Sequence, residues 1–256
     1  SSENNYESAF IFNGRSLRQK LLSYFFKENG LKVFYIERNM WNKGRTVISN
    51  KRIQSFNYLK TNKCNDYGTC KHDISIENLY KNVMTKNWQN MQTDLFESSN
   101  KNKKTISYMS GSSDEYLAFT EEVMIKDCQS QISLVRFLSD ICKENNIEFI
   151  LRVHPNTRNK CKLDIDLWDS IGNLLLSRKQ IYFPASSNIN TYSIIDKSDL
   201  IITNGSTVTV ESCLKGKNVC LCGFSGLREY KAAKIIENLD ELKNYVLNTN
   251  IINKFN

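Results

Sequence analysis

Histidine and proline are the scarcest residues of this chain, two of each in 256 positions, and their scarcity limits the chemistry early. With only His72 and His154, a histidine-built metal centre is excluded. Cys64, Cys70 and His72 match no zinc spacing and lack a fourth ligand, so no metal is expected. Neither strand–helix turn carries Gly-x-Gly-x-x-Gly, which argues against a dinucleotide dehydrogenase. No apolar run approaches the ~20 residues of a membrane span. Ser1 to Glu7 is polar and acidic, without the pattern of a secretory signal, so a soluble, cytoplasmic protein is expected. An arginine-rich helix and an aromatic RNA-binding signature are also missing, and no nucleic-acid partner is expected.

What is present is a basic balance, 35 Lys and Arg against 27 Asp and Glu, for a net charge of +8. That favours an anionic partner such as a nucleotide, an acidic sugar or a membrane surface. The one basic cluster, Lys101, Lys103 and Lys104, reads as a solvated face. Of eight cysteines, Cys213, Cys220 and Cys222 sit among apolar residues, where cysteine acts as a small hydrophobe.

The pattern is α/β. Ser8–Phe12 reads as a strand, 16–29 as a helix packing through Leu17, Leu21, Leu22, Phe25 and Phe26, and Lys32–Ile36 as a second strand. Asn13, Arg15 and Glu37 then fall at strand carboxyl ends, where open parallel sheets bind ligands. Residues 38–75 read as a loop-rich excursion, 76–96 as helical, and 98–104 as a linker. A second unit starts with strand Thr105–Met109 and the turn Ser110–Glu115, which presents Asp114 and Glu115. A helix over 130–144, a strand over 147–153, an amphipathic segment over 168–176, a strand at 181–183 and a helical turn at 191–197 follow. Leu200–Ile202 is a buried strand, too short and too apolar for anything else. It breaks at Asn204 and Gly205, and Ser206 and Thr207 open a helix that stops at Gly216.

Three strand ends of the second unit thus carry capable residues: Asp114/Glu115, then Arg152/His154/Asn156, then Asn204/Gly205/Ser206/Thr207. In a parallel sheet these ends share one edge. A histidine or arginine beside a helix N-terminus can hold a phosphate and steady it as a leaving group. Glu211, on the following helix, is placed either to accept from ribose hydroxyls or simply to face solvent.

Leu-Arg-Val-His-Pro-Asn (151–156), Asn-Gly-Ser-Thr-Val-Thr-Val-Glu (204–211), Phe-Asn-Gly-Arg (12–15) and Ser-Ser-Asp-Glu (112–115) together resemble bacterial capsule and lipopolysaccharide glycosyltransferases. The likeness is to capsule Kdo transferases, related in design to bacterial sialyltransferases of the two-Rossmann, GT-B type. It is densest over 105–227. The resemblance implies two Rossmann-like halves with parallel sheets, the first reduced: an acceptor half over 1–100, a nucleotide-sugar half over 104–228, and terminal helices over 229–256 packing back on the first half. It implies a CMP-activated acidic sugar as donor, no cofactor or metal, and a polysaccharide or glycolipid acceptor. The work would be done at the inner face of the cytoplasmic membrane, with peripheral association. His154 and the Ser206/Thr207 helix start would hold the CMP phosphate, with Arg152, Asn156, Asn204 and Gly205 around it and Glu211 on the nucleoside. Asp114 or Glu115 would be the acid/base group, and Asn13, Arg15 and Glu37 would face the cleft from the first half. Asn190 falls where relatives carry a catalytic acid, with Asp196 and Asp199 as other candidates. An amide there leaves open a catalytically inactive nucleotide-sugar-binding module.

Overall fold

The computed structural model describes residues 6–12, 17–38, 46–49, 94, 96, 103–112, 124–223, 225, 227–228 and 233–249. The chain divides into two compact units, Ser1–Lys71 with Ser113–Val123, and His72–Ser112 with Met124–Asn256. The division at Lys71/His72 falls before the expected linker at 98–104.

In the first unit β1 (Ser8–Phe12), α1 (Leu17–Glu28) and β2 (Lys32–Arg38) form the expected strand–helix–strand, with β1 and β2 parallel. A further strand, β3 (Thr46–Ser49), pairs antiparallel with β2 inside the stretch expected to be loop. Four residues carry too little periodicity to announce a strand. The helix ends in a Schellman turn: Leu31 N–H reaches Phe26 O and Gly30 N–H reaches Lys27 O, with Gly30 at φ +77°. Its packing face differs from the expected one. Phe26 packs on Ile11, Val33 and Tyr35, and the Ser23 hydroxyl is hydrogen-bonded to the Tyr35 phenol. Leu21 and Phe25 are instead 61% and 60% exposed. Periodicity identifies an apolar stripe, not the side that meets the sheet. Here a polar pair turns the other side inward.

The second unit is a six-stranded, fully parallel sheet in the order β6-β5-β4-β7-β8-β9. Its strands are β4 (Thr105–Met109), β5 (Glu148–Arg152), β6 (Ile181–Phe183), β7 (Leu200–Thr203), β8 (Asn218–Leu221) and β9 (Lys234–Ile235). The helices are α2 (Gln131–Glu144), α3 (Lys162–Ser177), α4 (Thr191–Lys197), α5 (Thr207–Leu214) and α6 (Leu239–Asn248). Counted from β4, this is the 3-2-1-4-5-6 order of a doubly wound Rossmann sheet, with its switch point between β4 and β7.

Alternation along the strands sorts the core. Ile106, Tyr108, Phe149, Leu151, Leu200 and Ile202 face one side with Leu134, Val135 and Leu138 of α2, Ile171 and Leu175 of α3, and Leu242 and Val246 of α6. Met109, Ile150 and Ile201 face the other with Tyr192, Ile194 and Ile195 of α4, and with Phe96 and Ile189. Each fully buried aliphatic side chain is worth about 1.5–3 kcal/mol of transfer free energy. Residues 233–249 supply a short strand and one helix to this second unit. Apolar residues at Leu242 and Val246 announce a buried face but not its destination.

The amino-terminal edge of the sheet is closed by charge. Lys104 Nζ donates to Val246 O at 2.6 Å and Thr249 O at 2.5 Å, at the carbonyl end of α6. Burial lowers the Lys104 pKa, and Asp199 opposes that shift. The Thr105 N–H donates to Asp199 Oδ2 at 2.8 Å. The expected solvated linker therefore ends in a lysine that ties the last helix to the central strand.

Candidate functional site

At the carboxyl edge, β4, β5 and β7 lie side by side, so the residues after Met109, Arg152 and Thr203 share one rim. These are the strand ends that the sequence picks out. His154 and Ser206 are separated there by β4, two strand spacings or about 10 Å. A nucleotide phosphate with its flanking groups spans such a gap.

Each strand end is wired to its neighbour. The His154 N–H donates to Ser110 Oγ at 2.8 Å, joining β5 to the turn after β4. The Tyr108 hydroxyl lies 2.8 Å from Asn204 Oδ1, joining β4 to the turn after β7. Gly111 N–H donates to Gln131 Oε1 at 2.8 Å, fixing that turn to the start of α2. Ser110 and Ser112 are buried. Tyr108 and Gln131 carry no signal in the sequence, and Ser110 is legible there only as the start of a hydroxyl-rich turn. A tyrosine in a core strand reads as packing until its hydroxyl partners are seen.

His154 caps the 3-10 turn Pro155–Asn159, with its Nδ1 accepting the Asn156 N–H at 3.2 Å. An Nδ1 used as acceptor places the proton of the neutral ring on Nε2. Pro155 fits the first position of that turn because it has no N–H to satisfy there. Asn156 is exposed and contributes its main-chain N–H to the cap.

Arg152 is only 2% exposed. Its Nη1 donates to Pro184 O at 2.6 Å and its Nη2 to Ser187 O at 3.2 Å, so the guanidinium clamps the segment after β6. Burial pulls its pKa down to about 10. That segment leads to Asn190, whose Oδ1 accepts from Tyr192 N–H at 2.8 Å and caps α4. Its own N–H donates to Asp94 O at 2.8 Å. Asp196 is engaged by Lys215, and Asp199 holds Thr105 at the opposite edge of the sheet.

The turn after β7 is constrained. Gly205 has φ +103°, and a Cβ there would fall 2.3 Å from Ser225 Cβ, so any side chain is excluded by both backbone and neighbour. Ser206 occupies the N-cap of α5 without capping it through its side chain. Its buried Oγ has no partner among the described residues. The first N–H groups of α5 and that hydroxyl are the donors an anion at the helix start would meet. Thr207 is exposed at the first position of the helix. Glu211 is 3% exposed, which removes the solvent-facing reading. Asp114, Glu115, Asn13 and Arg15 lie outside the described residues, as do Cys64, Cys70 and His72. Glu37 is placed opposite Val47 in the β2–β3 ladder. Among the described residues no cluster of three or more metal-ligating side chains occurs. None of the described helices is long and apolar enough to cross a membrane.

A parallel sheet of Rossmann order, with three cross-wired strand ends beside its switch point, has the plan of one half of a GT-B fold. Among solved structures the chain is similar to Thermosulfurimonas dismutans KpsC, a β-Kdo 2,7 transferase, at 14% identity over 93% of this chain and 71% of that one, TM-score 0.52. It is also similar to the β-Kdo 2,4 transferase of the same organism's KpsC, at 10% identity over 91% and 74%, TM-score 0.47. A third similarity is to Neisseria meningitidis UDP-GlcNAc 2-epimerase bound to UDP-GlcNAc, at 14% identity over 66% and 41%, TM-score 0.42. No family model and no curated relative matches. The first of these likenesses establishes the fold: α/β of the GT-B type.

Proposed function

We propose that the chain is a glycosyltransferase that moves a sugar from a nucleotide donor, Kdo or another acidic sugar on CMP, onto a surface polysaccharide or glycolipid. The observation that carries this reading is the rim itself. His154, its imidazole oriented by the Nδ1 cap, stands on the same edge as the N-terminus of α5. That Thermosulfurimonas dismutans KpsC, whose fold this chain shares, is a Kdo transferase supports the choice of Kdo.

In the proposed reaction the anomeric carbon–phosphate oxygen bond breaks and CMP leaves with the electron pair. His154 and the α5 amides stabilise the charge that develops on the phosphate. The acceptor hydroxyl oxygen bonds to the anomeric carbon, and its proton passes to Asp114 or Glu115. Glu211 is assigned to the nucleoside, and Asn13, Arg15 and Glu37 to the acceptor. The roles need neither metal nor cofactor, and the acceptor puts the work at the inner membrane face, through peripheral association.

One observation favours a second reading. Asn190 is an amide committed to capping α4, in the neighbourhood where relatives carry an acid. On that reading the chain binds a nucleotide sugar without transferring it. A panel of CMP-, UDP- and GDP-sugars read by thermal shift, followed by product analysis with a capsule-type acceptor, separates the two. Stabilisation by CMP-Kdo with turnover supports the transferase, stabilisation without turnover supports the module, and no stabilisation by any nucleotide overturns both.

A further inference from the structure

Tyr108 is fully buried in β4, yet its side chain ends in a hydroxyl set between two amides. Asn204 Oδ1 is 2.8 Å away and Gln131 Oε1 3.0 Å away. Gln131 Oε1 also accepts from Gly111 N–H. Asn204, 1% exposed, directs its Nδ2 to Met124 Sδ at 3.2 Å. A phenylalanine would fill this place among Ile106, Phe149 and Leu151 without burying a polar group, so packing does not account for the hydroxyl. What the hydroxyl adds is a link across the switch point. It joins the turn at Gly111, through Gln131, to the turn at Asn204–Ser206. The phenol has one proton for two amide oxygens, and Gln131 Oε1 is held as acceptor by the Gly111 N–H, so both links close with the Asn204 amide turned to present its NH2 to the phenol oxygen.

We infer that Tyr108 is a positioning residue: its hydroxyl holds the Ser110–Ser112 turn and the Asn204–Ser206 turn in one register, so that main-chain groups of both meet the donor phosphate together. The ligand in this inference rests on the nucleotide-sugar reading; the link itself is a property of the protein alone.

The test is Tyr108→Phe, read in two ways. In the ligand-free protein, amide hydrogen exchange at Gly111 and Gly205 is expected to accelerate at least tenfold, with the sheet amides of Ile150 and Leu151 in β5 unchanged. Unchanged exchange at both glycines overturns the inference, and so does equal acceleration throughout the sheet, which marks a merely structural role. In titrations with CMP, the dissociation constant is expected to rise about five- to tenfold, the loss of roughly one hydrogen bond. Equal affinity for variant and parent overturns the positioning role. If the parent binds no nucleotide, the nucleotide-sugar reading fails, and the exchange experiment alone decides on Tyr108. Should Tyr108→Phe not fold, Gln131→Leu cuts the same link from a partly exposed position, with acceleration expected at Gly205, across the switch point, and unchanged exchange there counting against the inference.

Discussion

The main-chain N–H of His154 donates to the hydroxyl of Ser110 at 2.8 Å, so the residue following β5 is held by the residue following β4. Through this bond the imidazole is fixed by two neighbours: Ser110 anchors its main chain, and Asn156 anchors its Nδ1. A donor held in advance loses little freedom on meeting a phosphate. His154 is therefore held at two points of its own structure.

Gly205→Ala should be among the most damaging small substitutions in the chain. The left-handed φ costs an alanine roughly 1–3 kcal/mol, and the contact with Ser225 adds to it. Urea denaturation should show a lower midpoint, with the slope unchanged.

Lys104→Met removes the cation from the carbonyl end of α6. Two charge-assisted bonds at a partly buried site are lost, for a destabilisation of about 1–2 kcal/mol. Hydrogen exchange should locate the loosening in 239–249, far from the rim, with nucleotide binding intact.

Arg152→Met leaves the carbonyls of Pro184 and Ser187 without their donors while keeping the apolar stem. A loss of about 2–4 kcal/mol is expected, because buried acceptors without partners carry the full desolvation cost. Arg152→Lys should recover only part of it, since an ammonium lacks the planar fork that reaches both carbonyls. Thermal melts of the three proteins check the order: parent, Lys, Met.

Glu241 accepts from Lys234 Nζ and from the Glu237 N–H, and the Lys234 bond is the main reason its pKa is lowered. A carboxyl whose folded pKa is depressed contributes stability above its unfolded value, near 4.3, and loses that contribution as pH falls through the folded value. The stability difference between the parent and Glu241→Gln should thus be present at neutral pH and vanish in acid. Melting curves across that range check it.

Much of the second unit was readable in the sequence. β6 and α4 fall where apolar runs and flanking polar residues place them, and β5 and β7 within a residue or so. Helix ends were readable to the extent that glycine marks them. Four helices end in the same Schellman geometry, but only Gly30 and Gly216 announce it; Asn146 and Lys179 adopt the left-handed conformation without a sequence cue. Shared placement of His154, Asn204 and Ser206 on one rim follows from strand parity. Their wiring does not, because Tyr108, Ser110 and Gln131 are ordinary core, turn and helix-start residues by pattern. The inward side of α1 was misread because the Ser23–Tyr35 hydrogen bond, a tertiary contact, overrides its apolar stripe. β3 and β9, four and two residues long, are made by pairing with a neighbouring strand rather than by any run of their own.

The most direct test is a calorimetric titration of CMP into the parent protein and into His154→Ala. The account predicts saturable binding to the parent and at least a tenfold loss of affinity in the variant, with the ligand-free fold unchanged, since a bond from His154 Nε2 to the phosphate is charge-assisted. Equal binding by the two proteins, or none by the parent, would contradict it.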